Sequence, residues 1–244
     1  MVAVVVAEKP SVARDIANVL GANIRGSGFY QSRNYIVTWA IGHLVRLAEP
    51  KEMNPEWQKW QLSLLPMLPS SWVLKEVDST SSQLQVIKSL LLQPETEKVI
   101  CATDAGREGE LIFRYIYQIT GCDKPTERLW ISSLTVEAIQ QGFANLKAGS
   151  DYDYLADAAR ARSQADWLVG MNFSRVYSLV SGESYSVGRV QTPTLAILAK
   201  REQEIGQFVP TDYWVVKGAF LGRLEGHQPP KLEGSFFIPP HEKW

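Results

Sequence analysis

The stretch "ICATDAGREGELIF", residues 100–113, joins an apolar run to a cluster of charged side chains. Residues 98–103, from Lys98 to Thr103, form a short, partly β-branched and almost uninterrupted apolar run, which predicts a strand buried on both faces of a parallel sheet. After the turn at Ala105-Gly106, apolar residues recur every three or four positions up to Gly121, which predicts an amphipathic helix. We therefore expect Asp104 at the carboxyl end of a central strand, where open α/β sheets place their ligands.

The amino terminus repeats this arrangement. Residues 2–7, "VAVVVA", predict a second buried strand, which ends at Glu8. If the two strands are neighbours in one parallel sheet, Glu8 and Asp104 project into the same crevice, with Glu108 one helical turn away. Three carboxylates that close repel one another unless a cation shares them, and an all-oxygen site suits Mg²⁺. Lys9 adds a positive charge that suits a phosphate whose charge rises in a transition state.

A simpler explanation exists for the charges in the first stretch. Asp104 can cap the following helix, with Arg107, Glu108 and Glu110 forming its solvated first turn. The second strand ending in a carboxylate favours the site over the cap. Arg107 then joins Glu8 and Lys9 as a candidate catalytic residue.

Composition limits the classes of protein. The 244 residues carry a net charge of −1, which argues against a generally basic nucleic-acid coat, so contact with DNA must come from a local groove. Two cysteines are too few for a disulfide framework. The amino terminus lacks a basic leader, and no stretch approaches the ~20 apolar residues of a membrane span, so we expect a cytoplasmic protein without membrane contact.

The order of strands and helices predicts an α/β domain over residues 1–149, with a seam at Ala148-Gly149-Ser150. A mainly α-helical region is expected over residues 150–221. Residues 222–244 are rich in Pro and Gly without a clear period, which predicts a truncated or poorly ordered tail.

One long helix is predicted from residue 153 to about residue 180, since no proline or glycine pair interrupts it. A mixed polar and aromatic stripe on such a helix is, taken alone, typical of an ordinary solvated face. Two guanidinium groups flanking an indole can also hold phosphates while a base stacks between them. The stripe consists of Arg160, Gln164, Trp167, Met171 and Arg175.

Three other segments favour contact with a nucleic acid. "SVGRVQ", residues 186–191, precedes a helix whose first amide groups, beside Arg189, can cradle a phosphate. Trp60 lies in an irregular segment rich in Pro and Trp, where an exposed indole can stack on an unpaired base. His43 follows a predicted strand and turn at residues 35–42 and can donate to a phosphate, although a single His beside a turn is more often simply packed or solvated.

Five motifs together resemble the type IA DNA topoisomerases, most closely the bacterial topoisomerase III branch. They are "AEKPSVARDIANVLG" at 7–21, "IGHL" at 41–44, "ATDAGREGE" at 102–110, "ARARSQADWLVGMNFSR" at 159–175 and "SVGRVQTPTLAIL" at 186–198. They occur in the order of the family. The resemblance implies a toprim-type parallel sheet flanked by helices, followed by a helical DNA-binding region.

The resemblance also implies roles for individual residues. Glu8 and Asp104 would bind Mg²⁺, Lys9 would contact the scissile phosphate, and Glu8 would assist proton transfer at the departing sugar oxygen. Many relatives have a second aspartate where this chain has Gly106, which leaves Glu108 as the substitute ligand. The expected contacts with single-stranded DNA are His43, Trp60, Arg162, Asp166, Trp167, Arg175, Ser186, Val187, Gly188, Arg189, Val190 and Gln191.

The family cuts DNA with a tyrosine in a "YxRTD"-like motif, and none of the nine tyrosines here precedes such a motif. We therefore expect a fragment, natural or artificial, that lacks the nucleophile and the missing C-terminal part of the enzyme. In the intact enzyme the reaction would be Mg²⁺-dependent, ATP-independent breakage, passage and rejoining of single-stranded DNA, without a nucleotide cofactor. Two alternatives remain: a toprim nuclease or primase-like enzyme, and a non-catalytic single-stranded DNA-binding module.

Overall fold

The computed structural model describes residues 2–221 and 231–235. The chain divides into two compact units, Met1–Thr192 and Pro193–Trp244. The first unit contains the strands β1 (Val2–Ala7), β2 (Ile24–Arg25), β3 (Phe29–Gln31), β4 (Tyr35–Trp39), β5 (Val45–Leu47), β6 (Leu74–Glu76), β7 (Thr96–Ala102), β8 (Thr126–Arg128) and β9 (Lys147–Ala148). Its helices are α1 (Pro10–Val19), α2 (Pro50–Met53), α3 (Ser81–Leu92), α4 (Arg107–Thr120), α5 (Val136–Ala144) and α6 (Asp153–Ser181).

A seven-stranded sheet in the order β2-β3-β4-β1-β7-β8-β9 forms the centre of the first unit. Strands β4, β1, β7 and β8 run parallel, and the outer pairs are antiparallel. The predicted neighbours β1 and β7 pair directly, with Ala7 opposite Ala102. The predicted fold class, a mostly parallel sheet flanked by helices with a helical region after it, is confirmed.

Both faces of the sheet are covered, which explains the uninterrupted apolar runs of β1 and β7. Alternate residues such as Val4, Val6 and Val99 face one core cluster, which α3 and α4 complete. Val5 and Ile100 face the opposite cluster, which α1 and α5 complete. The central position of β1 follows from this double burial.

Helix boundaries agree closely with the sequence pattern. Helix α4 begins at Arg107 and ends before Gly121, whose φ of 69° is the left-handed conformation that glycine adopts without a Cβ penalty. Helix α5 begins after Thr135, whose side chain accepts a hydrogen bond from the Ala138 amide. A small antiparallel sheet of β5 and β6 was not predicted, because each strand has only three residues.

Helix α6 packs along α4 within the first unit. Arg114 of α4 donates to Asp153 Oδ1 at 2.8 Å and to the Gly149 carbonyl at 2.7 Å. The boundary predicted at residues 148–150 therefore falls inside this compact unit, at a short 3₁₀ turn where the sheet gives way to α6.

The second unit contains α7 (Gln191–Gly206), which begins at the border, and the antiparallel pair β10 (Lys217–Leu221) and β11 (Lys231–Ser235). Residues 231–235 of the predicted tail form strand β11, and the rest of that tail lies outside the described residues. None of the helices in the described part of the chain is both long and apolar enough to cross a bilayer.

The close contact between α4 and the Asp104 backbone makes Gly109 sensitive to substitution. We expect Gly109→Ala to lower the free energy of unfolding by about 1–3 kcal/mol, because a Cβ would overlap the Asp104 carbonyl and lie 2.8 Å from its amide nitrogen. Gly170→Ala is the matched control, since Gly170 also lies in a helix but its added Cβ would meet only the Val187 carbonyl at 3.6 Å, and we expect a gain of about 0.5–1 kcal/mol. Urea denaturation measures both. Equal midpoints for the two variants would contradict the packing.

Candidate functional site

The carboxyl edge of the parallel sheet carries the first group of predicted site residues. Glu8 follows β1 and Asp104 follows β7, and Glu8 Oε2 accepts a hydrogen bond of 2.9 Å from the Asp104 amide. The structure therefore brings these two residues together, as the sequence predicts. Lys9 lies next to Glu8 and is exposed. His43 is also exposed and follows β4, whose end reaches Ala7 through a 2.8 Å bond from the Ala40 amide.

Asp104 does not cap α4. The cap position is Gly106, and no side chain accepts a hydrogen bond there. The Asp104 carboxylate is exposed at the sheet edge, while its carbonyl accepts a 2.9 Å bond from the Gly106 amide. The simpler explanation of the acidic cluster, as a capped and solvated first turn, is wrong for Asp104.

Glu108 and Arg107 lie in the exposed first turn of α4. Glu108 Oε1 is 3.9 Å from Arg162 Nε on α6. Across residues 2–221 and 231–235, no three His, Cys, Asp or Glu side chains come close enough to hold a metal ion, so the cluster of three carboxylates is not formed. The pair of Glu8 and Asp104 still fits Mg²⁺, which commonly takes one or two carboxylates together with waters and substrate phosphates.

A buried ion-pair network under this edge was missed by the sequence analysis. Glu110, expected to be solvated, is 1% exposed and accepts a 2.8 Å bond from Arg114 Nε. Arg128 at the end of β8 is equally buried, and its Nε lies 3.1 Å from Glu110 Oε2. An arginine inside the short strand "TER" followed by "LW" was the signal available in the sequence. Beside this network, burial raises the pKa of the Cys101 thiol to about 11, as is typical of a cysteine that packs as a small apolar residue.

Helix α6 holds the Trp-rich segment through its side chains. Trp167 is only 6% exposed, and its indole N–H donates to the Ala48 carbonyl at 2.9 Å. Its ring lies 6.4 Å from that of Trp57 and 5.5 Å from that of Trp72. In this arrangement the Trp167 ring lies beneath the surface, and we revise its expected role from stacking on a base to supporting the groove.

Two further residues of α6 form hydrogen bonds with the backbone of the same segment. Asn172 accepts a 2.6 Å bond from the Met67 amide and donates to the Met67 carbonyl at 3.1 Å. Arg175 Nη1 donates to the Trp57 carbonyl at 2.6 Å, and its guanidinium lies 5.2 Å from the centre of the Trp60 ring. Burial lowers the pKa of Arg175 from its ordinary value. Because the ordinary pKa of arginine lies far above neutrality, the guanidinium stays charged.

A cleft of about 540 Å³ collects predicted DNA-contact residues from three segments. Trp60 is 50% exposed there, so one side of its indole is accessible. The lining residues are Glu49, Pro50, Lys51, Gln58, Trp60, Gly170, Met171, Ser174, Arg175, Ser186 and Val187. The cleft thus combines an aromatic surface, a guanidinium group and serine hydroxyls, the groups that bind bases and phosphates.

The segment before α7 is attached to α6 by two serines one turn apart, which the sequence analysis missed. Ser174 Oγ accepts a 2.9 Å bond from the Val187 amide, and Ser178 Oγ accepts a 2.9 Å bond from the Tyr185 amide. Small polar residues spaced by four on a helix face were the available signal. The segment therefore lies along α6 with its backbone held in register.

Within that segment, several predicted contact groups already have partners. Arg189 forms an ion pair with Asp166, Ser186 Oγ accepts a 2.7 Å bond from Gln191 Nε2, and the Gly188 amide donates to Thr192 Oγ1 at 3.1 Å. The helix-start amide at Gly188 is thus satisfied by a side chain, while the side chain of Val190 is exposed.

Two protein-family models match the chain in succession. The Toprim domain matches residues 3–134, more than half of the chain, and the DNA topoisomerase model matches residues 150–237. The chain belongs to the Toprim-containing DNA topoisomerases. The resemblance to type IA topoisomerases of the topoisomerase III branch is confirmed.

Relatives and a solved structure agree with this assignment. The chain is 47% identical over 219 residues to DNA topoisomerase 3 of Bacillus licheniformis and 46% identical over 219 residues to that of Bacillus subtilis strain 168. Each of these matches covers 90% of this chain. It spans 30% of the length of these relatives. The full-length topoisomerase I of Thermotoga maritima has the same fold at a TM-score of 0.59 and 23% identity, covering 99% of this chain and 36% of that one.

In this topoisomerase-family chain, α6 connects the sheet edge to the cleft. Arg162 lies beside Glu108, and Arg175 lies in the cleft roughly 20 Å further along the axis at 1.5 Å per residue. Asp166 with Arg189, and Ser174 with Val187, lie between them along the helix. The predicted contact residues of α6 are thus spread along its axis but not on one face, since at about 3.6 residues per turn Arg162 and Asp166 lie on a different side of the helix from Trp167 and Arg175.

We expect Ser174→Ala to release the Val187 amide, because the serine hydroxyl is its acceptor. One hydrogen bond contributes about 1 kcal/mol net, so the exchange rate of that amide should rise roughly fivefold in hydrogen-exchange NMR. Ser89→Ala is the control, since Ser89 Oγ donates only to the Val86 carbonyl of its own helix. An unchanged Val187 exchange rate in Ser174→Ala would show that the hydroxyl does not hold the segment.

Proposed function

We propose that the chain supplies the metal- and phosphate-binding part, and a portion of the single-strand groove, of a topoisomerase III-like type IA enzyme. The observation that carries this proposal is the Glu8 carboxylate accepting the Asp104 amide at 2.9 Å. It holds two acidic side chains and Lys9 at one edge of a parallel sheet, the position where such sheets bind ligands. In the intact enzyme the reaction would be ATP-independent breakage, passage and rejoining of one DNA strand.

Membership in this family implies a divalent metal ion, and we propose Mg²⁺. Glu8 and Asp104 would hold it, and when bound it would polarise the phosphate oxygens and offset their charge. Lys9 would place its ammonium against the scissile phosphate. Glu8 Oε1, the oxygen that does not bind the Asp104 amide, would carry the proton to the departing sugar oxygen. Glu108 as a third ligand, and Arg107 as a catalytic residue, remain predictions.

The groove would bind single-stranded DNA along α6. Trp60 would stack on a base, and Arg175 would attract a nearby phosphate. Beyond the cleft, Arg162, Asp166 and the residues 186–191 would contact the strand between the base and the metal, with Trp167 supporting the groove. His43 would reach the strand from the opposite side of the sheet edge.

The nucleophile in this proposal comes from outside the 244 residues, since no tyrosine among them has the required motif. The relatives are about three times as long as the matched region, which leaves room for such a motif in them. We also propose a cytoplasmic location, because the DNA of bacteria such as these relatives lies there.

We expect Mg²⁺ to strengthen binding of a single-stranded oligonucleotide to the wild-type chain, and Glu8→Gln to remove that increment. The amide keeps the size of the side chain but lacks the charge needed for a metal. Fluorescence anisotropy with and without added Mg²⁺ measures the difference. Glu97→Gln is the matched control, because Glu97 is exposed near the amino end of β7, at the sheet edge opposite Asp104.

The alternatives give different outcomes in the same samples. Equal affinity with and without Mg²⁺ in the wild type would indicate a non-catalytic binding module. Metal-dependent nicking or primer synthesis would indicate a toprim nuclease or primase. Relaxation of a negatively supercoiled plasmid by the 244-residue chain would show that the nucleophile lies within it.

Trp60→Ala should weaken binding of a single-stranded oligonucleotide by about 1–3 kcal/mol, the contribution of one stacked base. Tyr154→Ala is the control, because Tyr154 is an exposed aromatic residue at the far end of α6. Anisotropy titrations at one fixed salt concentration measure both variants. Equal affinities for the two variants would exclude Trp60 as a stacking surface.

A further inference from the structure

We propose that Arg128 is a positioning residue that orients Asp104 for the metal and phosphate. Arg128 does not reach the sheet surface and is 1% exposed, so it acts through Asp104 rather than on the DNA. The inference rests on the proposed function, since it concerns the same carboxylate edge. It adds a residue that neither the sequence motifs nor the comparisons assign.

The guanidinium of Arg128 donates hydrogen bonds to backbone carbonyl oxygens at the ends of β7 and β8. Nη1 donates to the carbonyls of Thr103 and Leu129, each at 2.8 Å, and to that of Cys101 at 3.1 Å. Nη2 donates to the Asp104 carbonyl at 2.7 Å. Two of these carbonyls also have a backbone donor, since Cys101 accepts from the Leu129 amide and Asp104 accepts from the Gly106 amide, each at 2.9 Å. A carbonyl oxygen has two lone pairs and can accept a second, charged donor. Arg128 supplies that donor for the turn that carries Asp104.

The Asp104 peptide groups are held on both sides. Arg128 donates to the carbonyl, and Glu8 accepts from the amide at 2.9 Å. Gly109 packs so closely against the same carbonyl that no Cβ fits there. The backbone of Asp104 therefore has one orientation, in which its carboxylate is exposed beside Glu8.

The charge of Arg128 is also enclosed. Its Nε lies 3.1 Å from Glu110 Oε2, and its guanidinium lies 5.1 Å from the centre of the Trp130 ring, which in turn stacks on Tyr152 at 5.0 Å. Removing such a pair from water costs several kcal/mol, so a buried ion pair is weak evidence for stability alone. The contacts with four carbonyls at the site account for an arginine at this position.

A lysine at position 128 cannot form the same set of hydrogen bonds. Its ammonium is a compact point charge, whereas the planar guanidinium reaches acceptors in several fixed directions. Arg128→Lys therefore keeps the charge opposite Glu110 but loses most of the carbonyl contacts. We expect the Asp104 turn to gain freedom while the sheet beneath it is retained.

The test measures the affinity of the full chain for Mn²⁺, a paramagnetic substitute for Mg²⁺. An EPR titration gives this affinity with a single-stranded oligonucleotide present. We expect Arg128→Lys to weaken Mn²⁺ binding at least tenfold and to leave metal-free oligonucleotide affinity within twofold of the wild type. Arg114→Lys is the matched control, because Arg114 also pairs with Glu110 but otherwise contacts Asp153 and Gly149. It should lose thermal stability without a change in Mn²⁺ affinity.

Mn²⁺ affinity within twofold of the wild type in a folded Arg128→Lys variant would overturn the inference. So would an equal loss in Arg114→Lys, since that would reflect general destabilisation. If Arg128→Lys does not fold, Trp130→Leu decides: it removes the ring over the guanidinium, and we expect Mn²⁺ binding to weaken at least threefold, whereas an unchanged affinity would refute the role. Failure of the proposed function is separate, since Asp104→Asn would then bind Mn²⁺ as the wild type does.

Discussion

The parallel pairing of β1 with β7 is the constraint on which the rest of the structure depends. Both strands are apolar on both faces, so the sheet is stable only with helices on each side, and parallel strands must then release their chains at the same edge. Glu8 and Asp104 are neighbours for this reason alone, although 95 residues separate them in the chain. A slip of one residue in this register would turn alternate side chains to the opposite core and separate the carboxylates.

Helix α6 is a second frame that orders segments without regular structure. It holds backbone groups at Ala48, Trp57 and Met67 on one side and at Tyr185 and Val187 on another. Almost all these bonds join a side chain of the helix to the main chain of a loop. Such bonds fix where a loop runs while leaving its own side chains available. The loops that line the cleft are therefore held in place by partly buried side chains of α6.

Local patterns in the sequence predicted the buried strands, the long helix and the meeting of Glu8 with Asp104, because burial on two faces and helical periodicity are visible in a short window. They did not predict the burial of Glu110 or Arg128, since a buried charge is identified only by a partner that lies far away in the chain. The same limit applies to Trp167, whose helical stripe is mainly half-buried but which meets Trp57 and Trp72 from a distant loop. The serines at 174 and 178 were overlooked because their partners follow a chain reversal at Gly182.

The cation over the Trp60 ring has a consequence for how a strand can enter the cleft. Because Arg175 lies 5.2 Å from the ring centre, one face of the indole is already covered, and only the other is open. In the proposed groove, this open face would stack on one unpaired base of a bound strand. The anchored guanidinium also marks one side of that base, so the two directions of travel of a strand are chemically unequal at this point.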